Sequence, residues 1–368
     1  MLIAGGGTGG HLYPGIALAE ELTTRQKGNE VVFVGTERGL EARVVPALGF
    51  PLDLIEVKPL KGRGIFGVLA GLLALPRAVS RSAALLKKHK PDVAVGVGGY
   101  ASGPVLLAAW MARIPAVVLE QNTVPGFTNR VLSRLVDLVF TSFESSARWF
   151  PKNKAIALGN PIRQKLLDNF LSSKVPDGKF NVLVLGGSQG AHALNLRMLE
   201  AAPSLLDLGE KLRIIHQTGQ NDEAIVKKGY AEAGLDAEVH AFIEDMSAVY
   251  RRADLVVCRA GATTIAELLV AKKAALFVPY PFAADNHQEL NAKEMVERGA
   301  AMMILERELD GRRLADEIRA LFGDRARLEQ MERAASRAGR PEAGREIIDA
   351  CVDLVRRRGG GGGQAVTS

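Results

Sequence analysis

An α/β protein of two doubly wound, parallel-sheet domains is the fold this sequence predicts, and three observations predict it. Short apolar runs alternate with helix-like segments along most of the chain, the pattern of parallel strands covered by helices on both faces. The order strand, glycine loop, helix opens the chain, in Leu2-Ile3-Ala4 followed by Gly5-Gly6-Gly7-Thr8-Gly9-Gly10-His11. It returns in Phe180 to Leu185 followed by Gly186-Gly187-Ser188-Gln189-Gly190. The length, 368 residues, holds two domains of ordinary size.

In the first half the further strand candidates are 30–34, 52–56, 92–97, 116–119, 137–141 and 154–158. Helix-like segments run from Tyr13 to Gly28 and over 38–48, 103–113 and 126–135. The opening run is short for a strand, as if residues were missing ahead of it. Gly159-Asn160-Pro161-Ile162-Arg163 closes this half, and the polar stretch from Lys165 to Lys179, with Pro176 and Gly178, reads as a linker. Strand candidates of the second half are 180–185, 212–216, 238–242, 254–258, 274–278 and 300–304. Helical segments follow near 310–338, then a break at Gly339-Arg340-Pro341 and a last helix. The expected boundaries are a domain at 1–163, a second at 164–340, a helix over 341–357 and a disordered tail over 358–368 that contains a run of five glycines.

Composition narrows the function classes. Hydrophobic residues make up 47% and charged residues 24%, as in a soluble protein with sizeable cores. The formal charge of +6 and a pI near 9.3 favour anionic partners. Cys258 and Cys351 are too few for a disulfide framework, and a reducing cytoplasm fits. The six histidines are scattered, no Asp-x-Asp pair occurs, and neither a metal nor another cofactor is expected. No secretory signal and no apolar run near the roughly 20 residues of a membrane span are visible. No nucleic-acid partner is expected.

The glycine loop at 5–10 presents backbone N–H groups at a helix start, which suits an anion, and His11 closes it with an imidazole. Gly5, Gly7 and Gly10 also satisfy G-x-G-x-x-G, with Glu37 placed to be a ribose carboxylate, so a dinucleotide oxidoreductase is a second reading. Gly98-Gly99-Tyr100 and Glu120-Gln121-Asn122 lie where two further apolar runs stop. Ligands of parallel sheets bind off the carboxyl ends of the strands, so these stretches point to one shared site. In Arg259 to Glu267 a strand ends, glycine turns, threonines cap and a helix begins. That start can hold a diphosphate, and Glu267 about one turn in could grip a ribose diol. The bland alternatives are that His11 only braces its loop and Glu267 only complements the helix dipole. Between Lys58 and Lys90 there is no acidic residue, and cations flank the apolar run Ile65 to Leu75. The segment suits either an anionic membrane surface or an ordinary buried helix with a basic rim.

Taken in order, Gly6 to His11, Gly98-Gly99-Tyr100, Glu120-Gln121-Asn122, Gly159-Asn160-Pro161 with Arg163, Gly186 to Gly190, Phe242-Ile243 with Asp245-Met246, Arg259 to Glu267, and Asp285 with Gln288 resemble the MurG family of bacterial N-acetylglucosaminyltransferases. The resemblance runs from about residue 4 to 357. It implies the GT-B architecture of two Rossmann-like domains facing across a cleft, with the final helix crossing back to the first. It implies transfer of N-acetylglucosamine from UDP-N-acetylglucosamine to the C4 hydroxyl of lipid I, an undecaprenyl-pyrophosphate-linked acceptor, with inversion, at the inner face of the plasma membrane. The same resemblance assigns Thr8, Gly9, Gly10, Asn122, Arg163 and Ser188 to the donor, the backbone of Ile243 to the uracil, Ala262, Thr263, Thr264, Ile265 and Ala266 to the diphosphate region, Glu267 to the ribose and Gln288 to the sugar. Gly98, Gly99 and Tyr100 fall on the acceptor side.

A near-neutral base is needed to take the acceptor's proton. His11 is the first candidate, its helix-start position favouring the neutral imidazole. Glu120 is the rival, as base or as the group that orients His11. A UDP-sugar epimerase of similar build and a non-catalytic membrane-bound scaffold are the other readings.

Overall fold

Alternate residues of a strand face opposite sides of a sheet, and both sides of Leu2-Ile3-Ala4 are apolar, so this run is suited to the middle of a sheet covered on both faces. The computed structural model of the protein describes residues 1–57, 64–170, 178–187 and 190–359, with only the backbone course for 64–73. It separates into two compact units, 1–164 with 341 onward, and 165–340.

Unit 1 holds strands β1 (Leu2–Gly5), β2 (Val32–Gly35), β3 (Leu52–Leu54), β4 (Ala94–Gly98), β5 (Ala116–Glu120), β6 (Leu138–Thr141) and β7 (Ala155–Ala157), all parallel, in the order β3-β2-β1-β4-β5-β6-β7. Its helices are α1 (Gly9–Arg25), α2 (Glu41–Ala47), α3 (Gly64–His89), α4 (Ser102–Met111) and α5 (Phe127–Leu132). Helix α6 (Gln164–Phe170) spans the boundary, and unit 2 repeats the plan. Its strands are β8 (Phe180–Leu185), β9 (Leu212–Gln217), β10 (Ala237–His240), β11 (Leu255–Cys258), β12 (Ala274–Phe277) and β13 (Ala301–Met303), in the order β10-β9-β8-β11-β12-β13. Its helices are α7 (His192–Ala201), α8 (Glu223–Ala233), α9 (Met246–Arg252), α10 (Ala262–Val270), α11 (His287–Glu297), α12 (Gly311–Gly323) and α13 (Arg325–Ala338). The chain ends in α14 (Ala343–Gly359), which belongs to unit 1.

In each sheet the connection reverses between the first and fourth strands of the unit. That switch point is where parallel sheets bind ligands. Short as it is, β1 pairs with β2 on one side and β4 on the other. Its Leu2 and Ala4 enter the core shared with Val34, Leu85, Val105 and Leu106, and Ile3 the core on the opposite face with Leu12, Ile16 and Leu18. Ile347, Ile348 and Cys351 of α14 complete that second face, which explains why the last helix returns to unit 1. Arg25 ties it down through Asp349 at 2.5 Å and the Arg345 carbonyl at 2.8 Å.

Three expectations need correction. Helix α1 starts at Gly9, four residues before Tyr13, because Thr8 is already the extended cap residue, so His11 sits inside the first turn. The start of the expected linker is helical, as α6, and 171–177 lies outside the described residues. Helix α14 continues through Arg358, which bonds the Arg113 carbonyl and Asp137, so the helix runs past 357, and 360–368 lies outside the described residues. Of the basic segment, 58–63 is likewise outside them. At its far end Lys88 and His89 pair with Asp53 of β3, at 3.2 and 2.5 Å. Burial works against the Asp53 charge, but these two partners prevail and hold its carboxyl below the usual range. Among the described residues no helix is long and apolar enough to cross a membrane.

Candidate functional site

In unit 1 the ends of β1 and β4 meet backbone to backbone. The Gly6 N–H donates to the Gly98 carbonyl at 3.3 Å. A Cβ on Gly5 would stand 2.3 Å from the Gly98 oxygen, and one on Gly99 2.4 Å from the Gly6 oxygen. Gly98 and Gly99 also have φ of +98° and +79°, so two glycine loops are needed because each is the wall of the other. Ser102 of α4 locks the junction. Its buried hydroxyl lies 2.7 Å from the Ala4 carbonyl and 2.8 Å from that of Gly98, and it accepts the Gly98 N–H at 3.1 Å.

Beneath the first loop sits a residue that the motifs did not flag. Glu41 is 1% exposed. Its carboxylate accepts the Gly7 N–H at 2.7 Å and the Thr36 N–H and hydroxyl at 2.9 and 3.0 Å. A Cβ on Gly6, Gly35 or Gly39 would fall within 2.3 Å of the Glu41 side chain. The carboxylate takes one of the N–H groups that a bound phosphate would use, while Glu37 is exposed. This arrangement disfavours the dinucleotide reading.

His11 packs against Gly98, where a Cβ would stand 2.6 Å from Nδ1. Nδ1 lies 3.0 Å from Oε1 of Gln121, whose own NH2 donates to the Val97 carbonyl at 3.0 Å. Glu120 does not orient the ring. Its side chain is buried and turned into the loop after β5, accepting the N–H of Asn122 at 2.9 Å, that of Gly126 at 3.1 Å and the Asn129 amide at 2.9 Å. Burial raises its pKa, and the Asn122 and Asn129 donors, the charge of His11 and the Gly126 N–H pull part of the way back. Thr8 and Gly10 are exposed at the start of α1, Gly9 and Asn122 are half-buried, and Tyr100 is exposed beside the second loop. Arg163 is half-buried with its guanidinium 4.8 Å from the centre of the Tyr13 ring.

In unit 2 the corresponding loop follows β8. Ser188 lies outside the described residues; farther along, Gly190 has φ +79°, and a Cβ there would stand 2.1 Å from the Thr218 oxygen. Gln217, 4% exposed at the end of β9, clasps two of the stretches that the sequence offers as donor contacts. Its NH2 donates to the Gly187 carbonyl at 3.0 Å and its oxygen accepts the Ile243 N–H at 2.9 Å. The Ile243 N–H is therefore already engaged, and the carbonyl is the part of its backbone left for a base. Past β11, Gly261 caps α10 in extended conformation. Ala262 and Ile265 turn into the core and Ile265 closes the first turn on the Gly261 carbonyl, so a ligand would meet backbone here and the half-buried Thr263, Thr264, Ala266 and Glu267. Glu267 accepts the hydroxyl of buried Tyr250 at 3.2 Å. Arg259 fastens the facing loop. It donates to the Val278 and Pro279 carbonyls at 3.1 and 3.3 Å, pairs with Glu306 at 2.5 Å and covers the Tyr280 ring. Gln288 accepts the Tyr280 N–H at 3.0 Å. Burial pushes the thiols of Cys258 and Cys351 up, the latter to about 12, so neither is a nucleophile at neutral pH. Among the described residues no cluster fit for a metal ion occurs.

Residues 1–141 match the Glycosyltransferase family 28 N-terminal domain and 181–347 the Glycosyltransferase family 28 C-terminal domain. A protein of Anaeromyxobacter sp. (strain Fw109-5), named UDP-N-acetylglucosamine--N-acetylmuramyl-(pentapeptide) pyrophosphoryl-undecaprenol N-acetylglucosamine transferase, is 59% identical over 98% of this chain and 94% of its own length. A Myxococcus xanthus (strain DK1622) protein of the same name is 56% identical over 100% and 96%. The chain belongs to the MurG family. The crystal structure of Acinetobacter baumannii MurG, 33% identical, superposes with a TM-score of 0.77 over 96% of this chain and 98% of that one. Both units are those of the GT-B fold. The UDP-GlcNAc 2-epimerase from Neisseria meningitidis shares the fold at a TM-score of 0.66, covering 96% of this chain and 99% of that one, but is 14% identical. That likeness is one of fold alone, and the epimerase reading is the weaker.

Proposed function

We propose that the chain transfers N-acetylglucosamine from UDP-N-acetylglucosamine to the C4 hydroxyl of the N-acetylmuramoyl sugar of lipid I, giving lipid II with inversion at the anomeric carbon. The observation that carries this reading is an imidazole seated in the first turn of α1 against Gly98 and hydrogen-bonded to Gln121, in a chain of the MurG family. A sugar hydroxyl is a poor nucleophile, and a base of near-neutral pKa beside it removes its proton as the new bond forms. His11 takes that role. The C1–O bond to UDP breaks, and the negative charge leaving with the diphosphate is met by backbone N–H groups at the start of α10, whose dipole favours it without a metal ion.

The other roles follow from what each group still has to give. Glu267 grips the ribose diol, the Ile243 carbonyl reads the uracil, and Gln288 meets the sugar hydroxyls. Thr8, Gly9, Gly10, Asn122 and Arg163 complete the donor contacts of unit 1, and Ser188 one of unit 2. Gly98, Gly99 and Tyr100 serve the acceptor. Glu120, with three donors on its carboxylate, organises the loop from Asn122 to Gly126 and is the poorer base. The enzyme works at the cytoplasmic face of the membrane, held peripherally through 58–90.

The test is product analysis with UDP-N-acetylglucosamine and a lipid I analogue. His11→Ala should lose turnover by roughly 10²–10⁴-fold with UDP affinity nearly unchanged, the usual worth of a general base. Transfer to the acceptor that survives in His11→Ala and disappears in Glu120→Gln would reverse the two assignments, and epimerised donor without transfer would sink the reading.

A further inference from the structure

We propose that Gln121 sets the tautomer of His11 and thereby makes Nε2 the nitrogen that takes the proton; the inference rests on the reading of His11 as the base. Gln121 follows the last residue of β5 and is 1% exposed, so its amide has no water to turn toward. The NH2 end donates to the Val97 carbonyl of β4 at 3.0 Å and to the Leu119 carbonyl of β5 at 3.3 Å. Only the NH2 end can serve two carbonyls, and turning the amide over would set its oxygen against both while leaving the NH2 to face the ring. The amide oxygen therefore faces Nδ1 of His11, at 3.0 Å. An amide oxygen is solely an acceptor, so Nδ1 carries the hydrogen and the lone pair of the neutral ring lies on Nε2. A histidine side chain free in water favours the opposite tautomer, with the proton on Nε2, which has no lone pair there to act as a base.

The neighbours agree with this division of labour. Gly98 allows the ring to approach its loop as no larger residue would, since a Cβ there would stand 2.6 Å from Nδ1. The Glu120 carboxylate is held by Asn122, Gly126 and Asn129. The ring is thus oriented by a neutral amide and not by a hydrogen-bonded carboxylate. In the transfer the acceptor O–H bond breaks as the new C1–O bond forms, the proton passes to Nε2, and the imidazolium later releases it to water. Gln121 touches neither sugar and is a positioning residue.

The experiment is 15N NMR of the histidine ring in the full chain, above the imidazole's titration range, with the His11 signals identified by their loss in His11→Ala. The native protein should show the Nδ1–H pattern. Gln121→Met, close in size but with no acceptor, should shift His11 to the Nε2–H pattern and lower kcat by at least about tenfold, part of the ~10²–10⁴ that a general base supplies, with UDP affinity unchanged. An Nδ1–H pattern persisting in Gln121→Met overturns the proposal even if His11→Ala is inactive. A reversed tautomer with unchanged kcat also overturns it. If His11→Ala is then active too, what has failed is the base reading beneath it.

Discussion

Acid should unfold unit 2 through one histidine. His216 of β9 is 0% exposed and held at both ring nitrogens, Nε2 3.0 Å from Asn195 Oδ1 and Nδ1 2.8 Å from the Tyr230 hydroxyl. The Asn195 NH2 donates to the Thr218 carbonyl and to Asp222, so its oxygen must accept from Nε2–H, and Nδ1 accepts from Tyr230. The native site is built for a neutral ring. Burial lowers its pKa to about 3, with the charge of Asp222 pulling weakly upward. In the unfolded chain the pKa returns to about 6.5. Below that value the unfolded state binds a proton that the native state refuses, so this stability is fully present above pH 6.5 and is lost as pH falls toward 3. The slope is about 1.4 kcal/mol per pH unit, and the loss reaches about 2.7 kcal/mol by pH 4.5, a large share of a domain's 5–15 kcal/mol. Denaturant unfolding followed by hydrogen exchange on β9 reads unit 2. The fluorescence of Trp110 and Trp149, both in unit 1, serves as the internal reference. The native protein and His216→Gln should differ by that slope on β9, which subtracts the carboxylates common to both, and not in the tryptophan signal. Parallel slopes on β9, or an NMR titration of His216 with a midpoint near 6.5, would refute the reasoning.

Three more outcomes are expected. Glu41→Gln sets an NH2 group against a backbone N–H and should cost about 1–3 kcal/mol, or roughly 2–4 °C of Tm per kcal/mol for a unit of this size, with turnover falling because the loop of His11 loses its support; an unchanged melting curve would show that the Gly7 and Thr36 contacts carry no weight. Glu267→Ala should weaken UDP binding by more than about tenfold, from the roughly 1.5–3 kcal/mol of a charged hydrogen bond, while Glu267→Gln, which keeps an acceptor for Tyr250, separates the ribose contact from the fold; calorimetry with equal affinities for all three proteins would remove the ribose assignment. Sedimentation with anionic vesicles should fall with salt, since exposed charges are screened beyond about 10 Å at 0.1 M, and should be abolished when Lys61, Arg63, Arg77 and Arg81 are neutralised together; binding as before would make the segment an ordinary buried helix.

What could be read from the residues in order was whatever local physics dictates. The apolar runs of the strands and the glycines at the ends of β1, β4 and β8 each depend on neighbours within a few positions, so the two parallel sheets were legible in the sequence, whereas the cap of α10 is Gly261 and not the threonines that the sequence suggested. The boundary of α1 was not legible, because Gly9 and Gly10 are poor helix formers by propensity, yet the helix begins at Gly9. The contacts that give the site its chemistry are the long-range ones. Glu41 reaches the first loop across 34 positions, Gln217 reaches Ile243 across 26, and Gln121 reaches His11 across 110. A glutamine after a strand or a glutamate before a helix has no local signature, since its role is set by which carbonyls and N–H groups the sheet order brings beside it. The sequence offers His11 and Glu120 as candidate bases; with His11 as the proposed base, it is the packing of β4 against β5, through Gln121, that decides which nitrogen of His11 is free to act.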